Sequence, residues 1–240
     1  TSDPAIAAGQ RAPVLVVTTS AGEYATKGYR TGLWLGELTH FYDVVVEAGH
    51  EVTIVSIAGG QVPLDPESLG KVVIKSGDTD KRYEDRAFMD LLEDTVPITE
   101  VDSAEYDALY LPGGHGTMFD LPDNPGLARV VGEMYDAGKY VTAVCHGPAG
   151  LLGATRADGR PVVAGKKLTG FAPAEEKLAN RADAIPFRLD EALKEQGAKY
   201  TKALRPFAEK VVRDGTLITG QNPQSAKAVA EELVKRLKKS

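Results

Sequence analysis

The sequence predicts an α/β fold of the doubly wound kind, in which a mostly parallel sheet carries helices on both faces. Apolar runs of strand length alternate with segments of helical periodicity, and the connections between them are short. Several of the runs are continuously apolar, which is typical of strands buried on both faces. One run leads directly into Cys145, the only cysteine among 240 residues. In such sheets, functional groups gather at the carboxyl ends of the strands.

Each predicted element follows from its own residue pattern. Apolar runs predict the strands, 3.6-residue periodicity predicts the helices, and glycines end several of them. In order, we expect a strand at 13–18, a helix at 32–48 closed by Gly49, a strand at 51–57, a turn at Gly59-Gly60, a charged helix at 78–94, a strand at 107–111, a helix at 124–137 closed by Gly138, the strand before Cys145, short strands at 166–169 and 216–219, and a helix at 225–239. Without repeats or linkers, the chain predicts one domain over residues 1–240, with a small helical insertion at about 70–98.

Cys145 lies in a frame that predicts a nucleophile elbow, a sharp turn between a strand and a helix. Small residues, Ala143 and Gly147, stand two positions either side of it, where the tight turn crowds the backbone. A helix N-terminus after the turn would lower the pKa of the thiol, and the thiolate is the reactive form. The alternative is an inert buried thiol, since free cysteines often behave as small hydrophobic residues. His146 is either a base for the thiol or only the donor of a backbone N–H.

Two further groups are expected beside the cysteine. Gly113 and Gly114 follow a buried strand, where the N–H groups of Gly114 and His146 could form an oxyanion hole, although a glycine pair alone is more often a turn. Glu37 lies on the apolar early turns of the first helix, where burying an ionised carboxylate would be costly. It is therefore either a boundary residue or a proton-transfer group with a raised pKa.

Composition excludes several classes of protein. Twenty-eight basic and thirty-four acidic residues give a net charge of −6 without a basic stripe, which argues against a nucleic-acid partner. No run approaches the length of a membrane span, and residues 1–4 have no features of a signal peptide. Together with the single thiol, these observations predict a cytoplasmic protein.

The chain resembles the DJ-1/PfpI (ThiJ/PfpI) superfamily over most of its length. The motifs that carry the resemblance are WLGEL at 34–38, PLDPESL at 63–69, LPGGHG at 111–116, AVCHGP at 143–148, LTGF at 168–171 with Glu175-Glu176, and TGQNP at 219–223. The Asp-Pro-x-Ser motif, the length and the insertion look most like the branch that contains glyoxalase III and heat-shock chaperones. The resemblance implies a flavodoxin-like three-layer sandwich, related to the fold of class I glutamine amidotransferases.

The resemblance also implies roles for individual residues. Cys145 matches the nucleophile, and Glu37 matches a glutamate that contacts the thiol and exchanges protons. His146 matches a histidine oriented by a downstream acid, which aligns best with Glu176 and almost as well with Glu175.

Some members of the superfamily hold a metal through a histidine on the first helix, about two turns after the glutamate. Residues 43–47 contain no histidine, and only His115 could match a ligand. We therefore expect no metal and no cofactor.

The implied activity is the glutathione-independent conversion of methylglyoxal, a small 2-oxoaldehyde, to lactate by a homodimer. Stress-related chaperone activity and protein deglycase activity are also attributed to this branch. The alternatives are a PfpI-type cysteine peptidase or amidase, which typically has a shorter chain, and a non-enzymatic redox-sensing holdase. Glutamine amidotransferase activity is disfavoured because no histidine follows His146.

Overall fold

The computed structural model describes residues 11–239, so the expectation about a signal peptide at residues 1–4 lies outside the described residues. The strands are Val14–Thr18 (β1), Val52–Ser56 (β2), Ala108–Leu111 (β3), Tyr140–Val144 (β4), Lys167–Leu168 (β5), Lys199–Tyr200 (β6), Val211–Asp214 (β7) and Leu217–Gly220 (β8). The α-helices are Leu35–Glu47 (α1), Thr79–Glu84 (α2), Arg86–Asp90 (α3), Thr117–Asp120 (α4), Pro125–Asp136 (α5), Pro173–Leu178 (α6), Leu189–Glu195 (α7) and Ala226–Leu237 (α8). Short 3₁₀ helices lie at Pro66–Leu69, Val73–Asp78, Ile98–Glu100, Ser103–Glu105, Gly147–Leu151 and Pro223–Ser225.

The main sheet has the strand order β2-β1-β3-β4-β8-β7, parallel except for β7. The chain moves from β1 to β2 in one direction across the sheet and from β3 to β4 in the other. Right-handed crossovers then put α1 and α5 on opposite faces. Helix α8 packs against α1 and over β4 and β8, whereas α5 packs over β3 and β4. The α/β, flavodoxin-like fold predicted from the sequence is confirmed.

Helix α1 shows how the apolar pattern becomes packing. Leu35, Leu38, Phe41 and Val45 recur on one face and are fully buried. The Phe41 ring stacks on the ring of Tyr110 in β3, with 3.7 Å between centroids. The helix begins three residues later than expected, because residue 32 is a glycine with φ of 148° that lies against the backbone of residue 63.

The insertion differs from the single helix expected at 78–94. It contains two short helices, α2 and α3, with a break at Asp85, whose backbone is extended and whose carboxylate accepts from the N–H groups of Ala87 and Phe88. The aspartate acts as an N-cap and therefore starts a second helix. Arg82 pairs with Asp43 of α1 at 2.7 Å, which ties the insertion to the first helix.

The late part of the chain was the least predictable. Strand β8 lies inside the main sheet between β4 and the edge strand β7, whereas β5 pairs with β6 in a separate two-stranded sheet. The edge strand β7 and the helices α6 and α7 were not predicted. They have four to seven residues, too few to establish a clear period.

Candidate active site

Cys145 stands on a tight turn between β4 and the 3₁₀ helix Gly147–Leu151, as the small-residue frame predicts. Its φ is 60°, in the left-handed region that a residue with a side chain rarely adopts. Two hydrogen bonds fix the turn: its N–H donates to the Gly220 carbonyl at 3.0 Å, and its carbonyl accepts from the Phe171 N–H at 2.8 Å. A Cβ at Gly147 would lie 1.9 Å from the Leu111 carbonyl oxygen, so the position requires glycine.

The His146 ring folds back towards its neighbour on the elbow. Its Nδ1 lies 3.4 Å from the Cys145 sulfur, and its Nε2 lies 2.8 Å from Oε2 of Glu176. An ionised carboxylate can only accept, so Nε2 carries the proton and Nδ1 is left free to take one from the thiol. The imidazole is therefore placed as a base, and not only as a source of a backbone N–H.

Glu176 accepts hydrogen bonds on both of its oxygens, from His146 on one and from Nε2 of His115 on the other. Burial disfavours its charge, but the electrostatic interaction with His146 and the two imidazole hydrogen bonds outweigh burial and hold the pKa of Glu176 well below its usual range. The carboxylate is thus ionised at neutral pH.

His115, His146 and Glu176 together offer three ligand atoms that could bind a divalent cation. Their ligand atoms all lie within 4.8 Å of one another. The expectation from sequence, that only His115 could serve as a ligand, did not foresee this grouping. Hydrogen bonds already pair the carboxylate with both rings, so the arrangement is explained without an ion.

Glu175, the rival for the acid, points away from His146. It is fully buried and joins three segments around α6. Its donors are the N–H groups of Ala172 and Phe207 and the side-chain amides of Gln221 and Asn222, at 2.7 to 2.9 Å. The two adjacent glutamates therefore have different roles: Glu175 connects loops around α6, and Glu176 contacts the imidazole of His146.

Glu37 is the second carboxyl group near Cys145. It is fully buried, and its Oε1 accepts from the Gly113 N–H at 2.8 Å. Its Oε2 has no hydrogen-bond partner among residues 11–239, and the carboxyl group interacts with the thiol of Cys145. Burial raises the pKa of Glu37 to about 8, and the bonds from Gly113 and Cys145 lower it only in part. This carboxyl group is mainly protonated at neutral pH.

The pKa of Cys145 departs from the sequence expectation of an acidic thiol. Burial raises its pKa well above the usual value, and the charges of Glu37, Glu175 and Glu176 add to the rise. The N–H of His146 opposes this, but the following helix is a short 3₁₀ segment of five residues. The thiol therefore keeps its proton at rest and must transfer it during the reaction.

The two glycines of the loop after β3 differ in what their N–H groups contact. The N–H of Gly113 is occupied by Glu37, so this residue orients the glutamate and is not an oxyanion donor. Gly114, with φ of 102°, makes no hydrogen bond through its N–H within the described part of the chain. The N–H of His146 faces the Cys145 sulfur. Of these three N–H groups, those of Gly114 and His146 are candidate donors to an oxyanion.

A cavity of about 220 Å³ lies above Cys145. Its aromatic walls come from Trp34, Phe171 and Phe207, none of which was singled out from the sequence. The first two lie in motifs quoted above, whereas Phe207 lies in a loop without a recognisable signal. A larger groove of about 950 Å³, between α1, the insertion and the start of α8, is not lined by Cys145, whose thiol opens on the smaller cavity.

No helix within residues 11–239 is both long enough and apolar enough to cross a membrane.

Comparisons with known proteins agree with the geometry. The glutathione-independent glyoxalase HSP31 of Saccharomyces cerevisiae is 33% identical over 232 residues, which cover 94% of this chain and 98% of that protein. Glyoxalase 3 of Candida albicans is 30% identical over 92% of this chain and 96% of its own length. The crystal structure of glyoxalase III from Candida albicans superposes with a TM-score of 0.87 at 29% identity, covering 94% of this chain and 97% of that one.

A second structure, the Rapid Encystment Protein 24 KDa of Francisella tularensis, superposes with a TM-score of 0.89 at 36% identity, covering 94% of this chain and 99% of its own. The model of the DJ-1/PfpI family matches residues 32–236, a range that includes Glu37, the elbow and Glu176. The chain belongs to the DJ-1/PfpI family.

Proposed function

We propose that this chain is a glyoxalase III-type enzyme that converts methylglyoxal to lactate without glutathione, using Cys145 as the nucleophile. The single observation that carries the proposal is the placement of the thiol between a protonated carboxyl, Glu37, and a free imidazole nitrogen of His146. The names of the Saccharomyces and Candida relatives support the same reaction.

The first step is addition of sulfur to the aldehyde carbon. Nδ1 of His146, 3.4 Å from the sulfur, takes the thiol proton as the carbon–sulfur bond forms. The N–H groups of Gly114 and His146 stabilise the oxygen that becomes negative. The imidazolium returns the proton to that oxygen, which completes a hemithioacetal, and the negative charge of Glu176 stabilises the imidazolium meanwhile.

The second step moves hydrogen from the aldehyde carbon to the neighbouring carbon. One base removes the proton from the first carbon while an acid protonates the ketone oxygen, which gives an enediol. Protonation of the second carbon and loss of the hydroxyl proton then leave a thioester of lactate. Glu37, with a pKa of about 8, can give and accept protons near neutral pH, and the imidazole of His146 beside the sulfur is the second group that can carry a proton. Water cleaves the thioester, releasing lactate and restoring the thiol.

The cavity supports a small carbonyl substrate in preference to a peptide. A volume of about 220 Å³ walled by aromatic rings accommodates a three-carbon aldehyde but not an extended chain. This favours the glyoxalase reaction over the peptidase alternative. The homodimer and the cytoplasmic location stay predictions, as do the single domain and any chaperone activity.

Incubation of the purified protein with methylglyoxal in the absence of glutathione tests the proposal. We expect lactate, measured with D- and L-specific dehydrogenases, and none from Cys145→Ser, because serine lacks the sulfur nucleophile. The melting temperature of that variant should stay close to that of the wild type. The proposal fails if the wild type forms no lactate, or if the serine variant keeps more than about a tenth of the wild-type kcat, which is about 1.4 kcal/mol of barrier.

A further inference from the structure

Both oxygens of Glu176 are held by imidazole rings, but the relay to Cys145 uses only one of these contacts. Oε2 lies 2.8 Å from His146, and Oε1 accepts from His115. His115 is buried, and its ring lies against the ring of His146 with 4.1 Å between the centroids. The reaction steps above assign it no role.

The surroundings of His115 fix its direction. The ring follows the glycine loop after β3 and packs against Tyr24 and Phe171, with centroids 5.5 and 6.0 Å away. Burial and the electrostatic interaction with the adjacent His146 lower the pKa of His115, although the hydrogen bond to Glu176 and the charges of Glu176 and Asp65 oppose this. The His115 ring is neutral, and its Nε2–H donates to Oε1 of Glu176, the oxygen that His146 does not contact.

We infer that His115 is a positioning residue, which holds the second oxygen of Glu176 so that the first keeps His146 in the tautomer with Nδ1 towards Cys145. The terminal torsion of a glutamate is soft, so a carboxylate held at one oxygen can turn. A carboxylate held at both oxygens has a fixed plane. Outer groups of this kind set the tautomer and orientation of the imidazole they support.

The effect of His115 on kcat rests on the proposed function, but its effect on the orientation of the His146 ring can be measured in the protein without substrate. His115→Gln and His115→Asn form a matched pair of neutral amides. Glutamine places its N–H where Nε2 stands, because the same number of bonds separates each nitrogen from Cβ. The amide nitrogen of asparagine is one bond closer to Cβ, so it does not reach the position of Nε2. His115→Phe keeps the aromatic packing against Tyr24 and Phe171 without any donor.

Nitrogen NMR of the His146 ring, recorded in the Cys145→Ser background, reports the tautomer directly. We expect a protonated Nε2 and a free Nδ1 with His115 or His115→Gln, and a mixture of tautomers with His115→Asn and His115→Phe. In the presence of Cys145, the kcat for methylglyoxal should fall about tenfold or more in the asparagine and phenylalanine variants. KM should stay within about twofold, and glutamine should restore most of kcat. Melting temperatures identify any variant that does not fold.

The inference is overturned if the asparagine and phenylalanine variants keep a single His146 tautomer, or if they lose no more kcat than the glutamine variant. A wild type that makes no lactate would refute the proposed function alone. The tautomer comparison would then still decide the role of His115, since it requires no turnover.

Discussion

Two buried carboxylates flank the Cys145–His146 pair, and their surroundings push them in opposite directions. Glu37 is fully buried with one backbone donor and a thiol, and its pKa rises to about 8. Glu176 is almost as deeply buried but accepts from two imidazoles, and its pKa falls well below the usual range. Burial acts against the charge in both cases, so the difference comes from the neighbours.

The opposite pKa shifts give Glu37 and Glu176 different roles in the reaction. A carboxyl that is protonated at neutral pH can donate a proton to substrate and take one back, whereas a carboxylate that remains ionised can only orient and stabilise a cation. The environments of Glu37 and Glu176 therefore separate proton transfer from the support of His146.

The largest effect should come from Glu37→Gln. The amide keeps the volume and can donate to the sulfur, but it cannot return a proton, so kcat should fall by about a hundredfold or more. Lactate production measured across substrate concentrations gives kcat and KM separately. Near-normal turnover would make Glu37 a structural residue and leave His146 as the only base.

Glu176→Gln should have an intermediate effect. It still accepts one hydrogen bond but carries no charge, so the imidazolium loses stabilisation and we expect kcat to fall about tenfold to a hundredfold. Glu175→Gln is the matched control one residue earlier. It should leave kcat of the folded protein nearly unchanged while lowering the free energy of unfolding by about 1–3 kcal/mol, because it disturbs buried donors. Equal kinetic effects of the two changes would contradict the assignment.

The two carboxylates should also give opposite stability profiles with pH. The pKa of Glu37 rises from 4.5 in the unfolded chain to about 8 in the fold, so its contribution is fully present below 4.5 and is lost as pH rises towards 8. The slope is at most about 1.4 kcal/mol per pH unit. The contribution of Glu176, whose folded pKa is lowered, is present above 4.5 and is lost as pH falls below it. Urea unfolding of the wild type, Glu37→Gln and Glu176→Gln between pH 3 and 8 measures both slopes, and a wild-type slope unchanged in Glu37→Gln would refute the first.

The smallest effect concerns the alkylation of Cys145. Since burial and the charge of Glu37 raise the pKa of the thiol, the midpoint for reaction with iodoacetamide should lie above about 8.5, the value of a free cysteine. In Glu37→Gln the midpoint should move to lower pH, because one negative charge is gone. A wild-type midpoint below 8.5 would show that the elbow stabilises the thiolate more than burial opposes it.

The sequence predicts the parts of the site that depend on local backbone geometry. The elbow follows from Ala143, Cys145 and Gly147, because a tight turn excludes larger neighbours. The strands β1, β3 and β4 were predictable for a different reason: nearly all of their residues are buried, so each is mostly apolar in sequence.

What could not be predicted depends on distant residues. The raised pKa of the Cys145 thiol results from burial by the rest of the folded chain. His115 contacts Glu176, which lies 61 positions later in the sequence. Glu176 was preferred over Glu175 only through family resemblance. Helix α6, which points the two side chains in different directions, has six residues and no recognisable period.

Helix α6 also joins the cavity wall to the support of the imidazole. Glu175 accepts from the N–H of Phe207, which forms part of the cavity wall, and Glu176 holds His146 from the next position on the same helix. Because the first contact uses the backbone N–H of Phe207, a change of its side chain leaves that contact in place. Substitutions that widen the cavity at Phe207 should therefore alter KM more than kcat, so substrate fit can be changed at this wall without moving the imidazole.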